Sequence, residues 1–255
     1  MIAPDSRPPA RSALARRVLP IALGACRLAQ RYHRYEIDGF EHLVNPGAAL
    51  LVGYHGRPVA YDLCMLTVTM YDRLGYLPHG VVHRYVKQQP IMKWVSDRLG
   101  LVTGDGDEIA RAVARGEHIL VQPGGTREGC RSWRSRYEVD WGDRVGYVRL
   151  ALRYGLPIVP IAAAGVDDGY IGLNNGYRLG KRIRMPGDLP LWFGIGPLGL
   201  WPLSPPFPVK IRQVIGEPIM PAQAGPIDPD DHDAVLDVHR RVTRAVQDLL
   251  DRRHR

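Results

Sequence analysis

The chain has 255 residues, enough for one domain with a full hydrophobic core, and its 45% hydrophobic and 24% charged residues exclude an intrinsically disordered protein. Its formal net charge of +8 favours anionic partners such as phospholipid head groups, nucleic acid or small phosphates. No basic stripe is interleaved with aromatics and no nucleic-acid motif is present, so we expect no nucleic-acid partner.

The N-terminal part, residues 1–34, is predicted to be a basic lead followed by an amphipathic helix. Residues 1–10 have the composition of a disordered lead, and Ser12 to Tyr35 has a helical, arginine-rich pattern. Asp5 and the early prolines do not fit a signal peptide, and the apolar run Val18 to Cys26 is too short to span a bilayer. The helix could lie on an anionic membrane surface or cap the core with a solvated arginine face.

The rest of the chain alternates between strand and helix patterns, which predicts an α/β fold with a mostly parallel sheet flanked by helices. Predicted strands are Tyr35 to Gly39, Ala48 to Val52, His118 to Gln122, Ile158 to Ala162 and Val209 to Ile215. Predicted helices run from Val59 or Tyr61 to Arg73, from an Asp105 cap to Gly116, from Asp143 to Tyr154, and from Asp228 to Arg253. No internal repeat and no boundary for a second domain is found.

The uncharged stretch Leu189 to Val209 is long, but its prolines and glycines forbid a continuous helix. We expect a loop whose Trp192, Phe193 and Trp201 either pack in the interior or face a membrane interface.

A histidine lies just past a predicted buried strand, in the segment Tyr54 to Asp62. Open α/β sheets place their functional sites there, and histidine can take a proton from a hydroxyl near neutral pH. The Asp62 carboxylate could hold the second ring nitrogen of His55, and Gly56 would allow a substrate to approach closely. On its own, such a His-Asp pair is also compatible with a purely structural role.

A second segment, Gln122 to Glu128, also follows a strand. Gly124 and Gly125 can turn backbone N–H groups toward an anion. Thr126 adds a hydroxyl, and Arg127 adds a planar guanidinium that can donate two hydrogen bonds to one anion. A tight turn with a surface ion pair is the plain alternative. We expect no metal, because His79 and His83 have ligand spacing but Pro78 and Gly80 break the helix this spacing needs.

Together these segments resemble the glycerolipid acyltransferase superfamily, of the lysophosphatidic-acid acyltransferase type. That family has a His-x4-Asp motif after a strand, then Pro-Glu-Gly-Thr-Arg, then a strand with a Val-Pro pair. Here they correspond to His55 to Asp62, Pro123 to Arg127, and Ile158 to Ile161. The segments Tyr35 to Leu43 and Ile215 to Ile219 are also similar, so the resemblance covers roughly residues 35–220.

Two departures stand out within the resemblance. Ala60 occupies the expected aspartate position, so Asp62 would pair with His55 only through a longer turn. Gly124 replaces the usual glutamate of the second motif, a form that looks like the diacylglycerol acyltransferase branch and makes a neutral lipid alcohol a candidate acceptor.

The resemblance implies an acyltransferase domain over residues 35–255 that transfers a fatty acyl group from acyl-CoA or acyl carrier protein to a lipid hydroxyl. His55 would act as general base oriented by Asp62, and Gly56, Arg57 and the turn from Gly124 to Glu128 would bind substrate. It implies no cofactor, and a peripheral location on the cytoplasmic face of a membrane. A non-catalytic lipid-binding protein and an acyl-thioester hydrolase are the alternatives.

Overall fold

The computed structural model describes residues 13–44, 47–58, 61–82, 102–103, 107–185, 190–222 and 225–254. Its helices are α1 (Ala13–Tyr32), α2 (Tyr61–Leu74), α3 (Asp107–Ala114), α4 (Gly125–Gly129), α5 (Gly146–Tyr154), α6 (Tyr177–Arg182) and α7 (His232–His254). Its strands are β1 (Glu36–Asp38), β2 (Leu50–Gly53), β3 (His79–Val82), β4 (Val102–Thr103), β5 (Ile119–Val121), β6 (Ile158–Ala164), β7 (Ile171–Gly172), β8 (Gly194–Gly196), β9 (Gly199–Leu200) and β10 (Arg212–Ile215). The predicted lead at residues 1–10, the Asp105 cap and His83 lie outside these residues.

Seven of the strands form one sheet in the order β1-β10-β6-β2-β5-β3-β4. The five strands from β6 to β4 run parallel to one another, whereas β10 is antiparallel to β6 and parallel to β1. All residues of β2 and β6 are buried, as expected for parallel strands covered on both faces. The predicted α/β class with a mostly parallel sheet is therefore confirmed.

Helices cover both faces of this sheet. Successive residues of a strand point to opposite sides, so each central strand contacts helices on both faces. On one face, Leu50 and Val52 pack in a cluster with Val238 and Val242 of α7. On the other face, Leu51 packs in a cluster with Leu66 and Met70 of α2. The buried apolar side chains of α7 are Val235, Val238, Val242, Val246 and Leu250, which form one stripe along the helix.

Helix α1 packs one face against α2. The Gln30 side-chain amide donates to the Met65 carbonyl at 2.9 Å and to the Thr69 hydroxyl at 2.8 Å, and Leu23 and Ala29 are buried. No helix within the described residues is long and apolar enough to cross a membrane.

The stretch expected to be a loop instead contains a short hairpin. β8 pairs antiparallel with β7 and with β9, in a separate three-stranded sheet. Trp192 is buried, and it packs across Gly194, where a side chain would collide with its ring. The exposed apolar residues at the tips of the hairpin region are Leu198 and Leu203, which are 80% and 92% exposed. The glycines of this stretch disfavour a helix, but glycine can occur in a strand where a neighbouring group approaches the backbone closely.

Candidate active site

Three loops meet at the carboxyl edge of the sheet, because β6, β2 and β5 are parallel neighbours. The loop after β2 carries His55, the segment after β5 leads into α4, and the loop after β6 forms a 3-10 helix from Val166 to Gly169. The Gln122 side-chain amide donates to the Tyr54 carbonyl at 2.9 Å and joins the first two loops.

His55 is half-buried, and its hydrogen bonds define which ring nitrogen is free. Nδ1 lies 3.2 Å from the Gly56 carbonyl oxygen, which can only accept, so Nδ1 carries the proton and Nε2 is left with a lone pair. Burial lowers the pKa of His55 to about 4, and the nearby Arg131 guanidinium adds to that effect. The ring is therefore neutral at physiological pH and can accept a proton at Nε2.

Asp62 lies close to His55 in the chain, but no hydrogen bond joins the two among the described residues. Its carboxylate lies beside Gly56, where a Cβ would be 2.9 Å from Oδ1, and Oδ1 has no hydrogen-bond partner within the part of the chain that is described. Burial raises the pKa of Asp62 to about 7, although the N–H groups of Asp62 and Leu63 oppose the shift. The structure thus brings the acid next to the histidine loop without pairing it to the ring.

Gly56 is required by packing. A Cβ at this position would lie 2.5 Å from the Val166 side chain, so Gly56 allows the loop after β6 to approach the loop after β2.

Arg57 is fully buried against Asp167, a residue that the sequence interpretation missed. Arg57 N–H donates to Asp167 Oδ1 at 3.1 Å, and its guanidinium donates to the carbonyls of Asp167 and Arg131. Asp167 also accepts from the Tyr54 hydroxyl and from the Tyr137 N–H. The available signal was an acidic pair, Asp167 and Asp168, directly after the carboxyl end of a buried strand.

Glu128 is also fully buried, at the end of the turn predicted to bind substrate. Its carboxylate accepts from three N–H groups, those of His55, Asp140 and the Trp141 indole, at 2.9, 2.8 and 3.2 Å. Arg131 Nη2 lies 3.4 Å from Oε1. Burial raises the pKa of Glu128, and Arg131 together with these donors holds it down.

The outer half of the same turn lies at the surface. Gly125 has φ +50°, a left-handed value that suits glycine, and it starts the single turn of α4. The Thr126 and Tyr177 hydroxyls lie 2.9 Å apart. Arg127 Nη2 donates to both carboxylate oxygens of Asp140, at 2.7 and 2.9 Å. The guanidinium that was expected to clamp an anion is therefore engaged with a carboxylate of the protein itself.

The family model described as Acyltransferase matches residues 34–164, more than half of the chain, and the chain belongs to this acyltransferase family. A chicken (Gallus gallus) protein named "DGAT1/2-independent enzyme synthesizing storage lipids" is 32% identical over 203 residues, which are 78% of this chain and 54% of the relative. An uncharacterized protein of Mycobacterium tuberculosis is 29% identical over 229 residues, covering 87% of this chain and 62% of that protein.

The chain thus spans between about half and two thirds of the length of these relatives. The crystal structure of the 1-acyl-sn-glycerophosphate (LPA) acyltransferase PlsC from Thermotoga maritima gives a TM-score of 0.49 at 17% identity, covering 92% of this chain and 80% of that chain.

Proposed function

We propose that this protein transfers a fatty acyl group from a thioester, acyl-CoA or acyl carrier protein, to the hydroxyl of a lipid, with His55 as the general base. The observation that carries the proposal is the state of His55. Its Nδ1 donates to the Gly56 carbonyl, which leaves an unprotonated Nε2 at the carboxyl edge of the sheet. Membership of the acyltransferase family supports the reaction class.

In the proposed reaction, Nε2 of His55 takes the proton from the acceptor hydroxyl as the oxygen attacks the thioester carbonyl. The carbon–sulfur bond then breaks, and the imidazolium returns the proton to the leaving thiolate. General-base assistance of this kind contributes roughly 10²–10⁴-fold to the rate. Asp62, when ionised, would stabilise the imidazolium through space, since its carboxylate, in the first turn of α2, lies next to Gly56 of the His55 loop.

The acceptor that fits best is a neutral lipid alcohol. Arg127 is paired with Asp140, so a phosphate would have to displace a carboxylate that already neutralises it. In this proposal the turn from Gly124 to Thr126 faces the polar end of the substrate, whereas Arg57 and Glu128 hold the loops around it. The name of the chicken relative, which refers to storage lipids, is compatible with such an acceptor.

We also propose peripheral attachment to the cytoplasmic face of a membrane. On the face of α1 that points away from α2, Ile21 and Leu28 are 74% and 67% exposed, and Arg31 is exposed nearby, whereas Arg27 pairs with Asp72 of α2. The Tyr32 hydroxyl donates to the Pro206 carbonyl at 2.7 Å, which connects this helix to the segment after the exposed Leu203. Exposed apolar side chains next to an exposed arginine suit an anionic lipid surface.

The test is product analysis with acyl-CoA and a panel of lipid alcohols and lysophospholipids, read by mass spectrometry. We expect an acylated neutral lipid from the wild type, and a loss of roughly 10²–10⁴-fold in His55→Ala with its thermal melting preserved. His232→Ala, an exposed histidine at the start of α7, serves as the matched control. Free fatty acid as the sole product would favour the hydrolase, and full activity in His55→Ala would refute the assigned base.

A further inference from the structure

The carboxylate of Glu128 joins the loop that carries His55 to the segment Asp140–Trp141 and to Arg131. Oε2 accepts the His55 backbone N–H at 2.9 Å and the Trp141 indole N–H at 3.2 Å. Oε1 accepts the Asp140 N–H at 2.8 Å and lies 3.4 Å from the Arg131 guanidinium. With its oxygens occupied by protein donors and its side chain wholly buried, Glu128 is built to hold the backbone of His55 and not to reach a substrate.

Gly124 makes room for this carboxylate. A Cβ at Gly124 would lie 2.1 Å from both Cδ and Oε2 of Glu128, far inside contact distance. The backbone gives no separate reason for glycine there, because φ at Gly124 is −62° and any residue adopts that value. The absence of a side chain at position 124 is therefore explained by the Glu128 carboxylate, which occupies the space.

The related motif Pro-Glu-Gly-Thr-Arg carries its glutamate at the position of Gly124. In this chain a carboxylate still fills the space next to that position, but it comes from one helical turn further along, at the end of α4. The glycine at position 124 and the glutamate at position 128 are therefore coupled: the carboxylate comes from position 128, and position 124 has no side chain.

We propose that Glu128 is the positioning residue of His55, and that Gly124 and Glu128 together place the carboxylate that the related motif carries at its second position. Glu128 acts through the His55 N–H, so it contacts neither acyl donor nor acceptor. The kinetic side of this inference rests on the proposed function; its structural side does not.

The kinetic test compares Glu128→Ala with the double variant Gly124→Glu/Glu128→Ala, which returns a carboxylate to the same space from the other position. We expect Glu128→Ala to lower kcat by about 10²-fold, the scale of a misplaced catalytic group, with both KM values within about threefold of the wild type. The double variant should recover about tenfold of the lost kcat. A raised KM with unchanged kcat would make Glu128 a substrate ligand, and no recovery in the double variant would refute the shared position.

The second measurement needs no turnover and uses a conservative variant that retains the shape of the side chain. In Glu128→Gln an amide NH₂ replaces one acceptor oxygen. At Oε2 it takes the acceptor from the N–H groups of His55 and Trp141, and at Oε1 from that of Asp140. We expect the imidazole ¹⁵N signals of His55 to shift in Glu128→Gln and to stay in place in Glu138→Gln, an exposed glutamate nearby. Unshifted His55 signals in Glu128→Gln would overturn the proposal, whereas an inactive wild type with shifted signals would refute only the acyltransferase proposal.

Discussion

Replacing Gly129 by alanine should displace the His55 ring while leaving the fold intact. A Cβ at Gly129 would lie 2.5 Å from His55 Cε1 and 2.7 Å from Nδ1. Since carbon atoms in contact sit about 3.5 Å apart, the ring has to move by about 1 Å. Gly129 is the last residue of α4 and its φ is not positive, so the backbone accepts alanine, which a helix prefers by up to about 1 kcal/mol.

A displacement of this size at a catalytic group costs about 10²-fold in rate, or roughly 2.7 kcal/mol of activation free energy. We therefore expect kcat of Gly129→Ala to fall about 10²-fold while its melting temperature stays close to that of the wild type. The assay is steady-state acyl transfer to a neutral lipid alcohol, combined with thermal unfolding. Gly146→Ala is the matched control, because a Cβ there meets nothing within 4 Å. Wild-type kcat in a folded Gly129→Ala would refute the assignment of His55 as the base.

Further predictions concern titration, stability and lipid binding. The pKa of His55 is lowered to about 4 and that of Asp62 is raised to about 7. The fall of kcat/KM on the acid side of neutral pH should therefore report the protonation of Asp62. We expect this acid limb to be absent from the pH–rate profile of Asp62→Asn. The raised pKa of Asp62 means that the folded state resists an ionisation that the unfolded chain accepts from about pH 4. Asp62→Asn should therefore gain stability over the wild type as the pH rises toward about 7, by roughly 4 kcal/mol in urea unfolding; an equal difference at all pH values would contradict this sign. Asp167→Asn breaks a buried pair with Arg57 and should lose about 3–5 kcal/mol, against less than about 1 kcal/mol for Asp168→Asn at its partly exposed pair; equal losses would argue against the buried network. Leu203→Asp should weaken sedimentation with anionic vesicles several-fold, and unchanged sedimentation would count against the proposed attachment surface.

The sheet could be predicted from the sequence because its signals are local. Apolar runs such as Ala48 to Val52 and Ile158 to Ala162 are long enough to fix a buried strand, and glycines such as Gly155, with φ +62°, mark the ends of helices. The position of His55 at the carboxyl edge then follows from the rule for parallel sheets.

The partners of the site residues could not be predicted, because they are set by contacts between distant segments. Asp167 lies 110 residues after Arg57, and no sequence pattern near either residue predicts that they pair. The same holds for Glu128, whose bond to the His55 N–H spans 73 residues. Local chemistry identified Arg57 and Glu128 as polar groups beside the histidine, but only the packing shows that both are buried and engaged with the protein.

Because β10 lies between β1 and β6, neither of these strands can form its pairing with β10 until β10 has been synthesised. In the described sheet β1 pairs with β10 alone, and the Glu36 N–H donates to the Ile211 carbonyl at 3.0 Å. A ribosome adding about 5–20 residues per second needs roughly 2–10 s to pass from Ala164, the end of β6, to Arg212, the start of β10. During that interval the edge of β6 stays open to other strands. A nascent chain that stalls before Arg212 is therefore exposed to edge-to-edge aggregation, and it is β10 that closes the sheet.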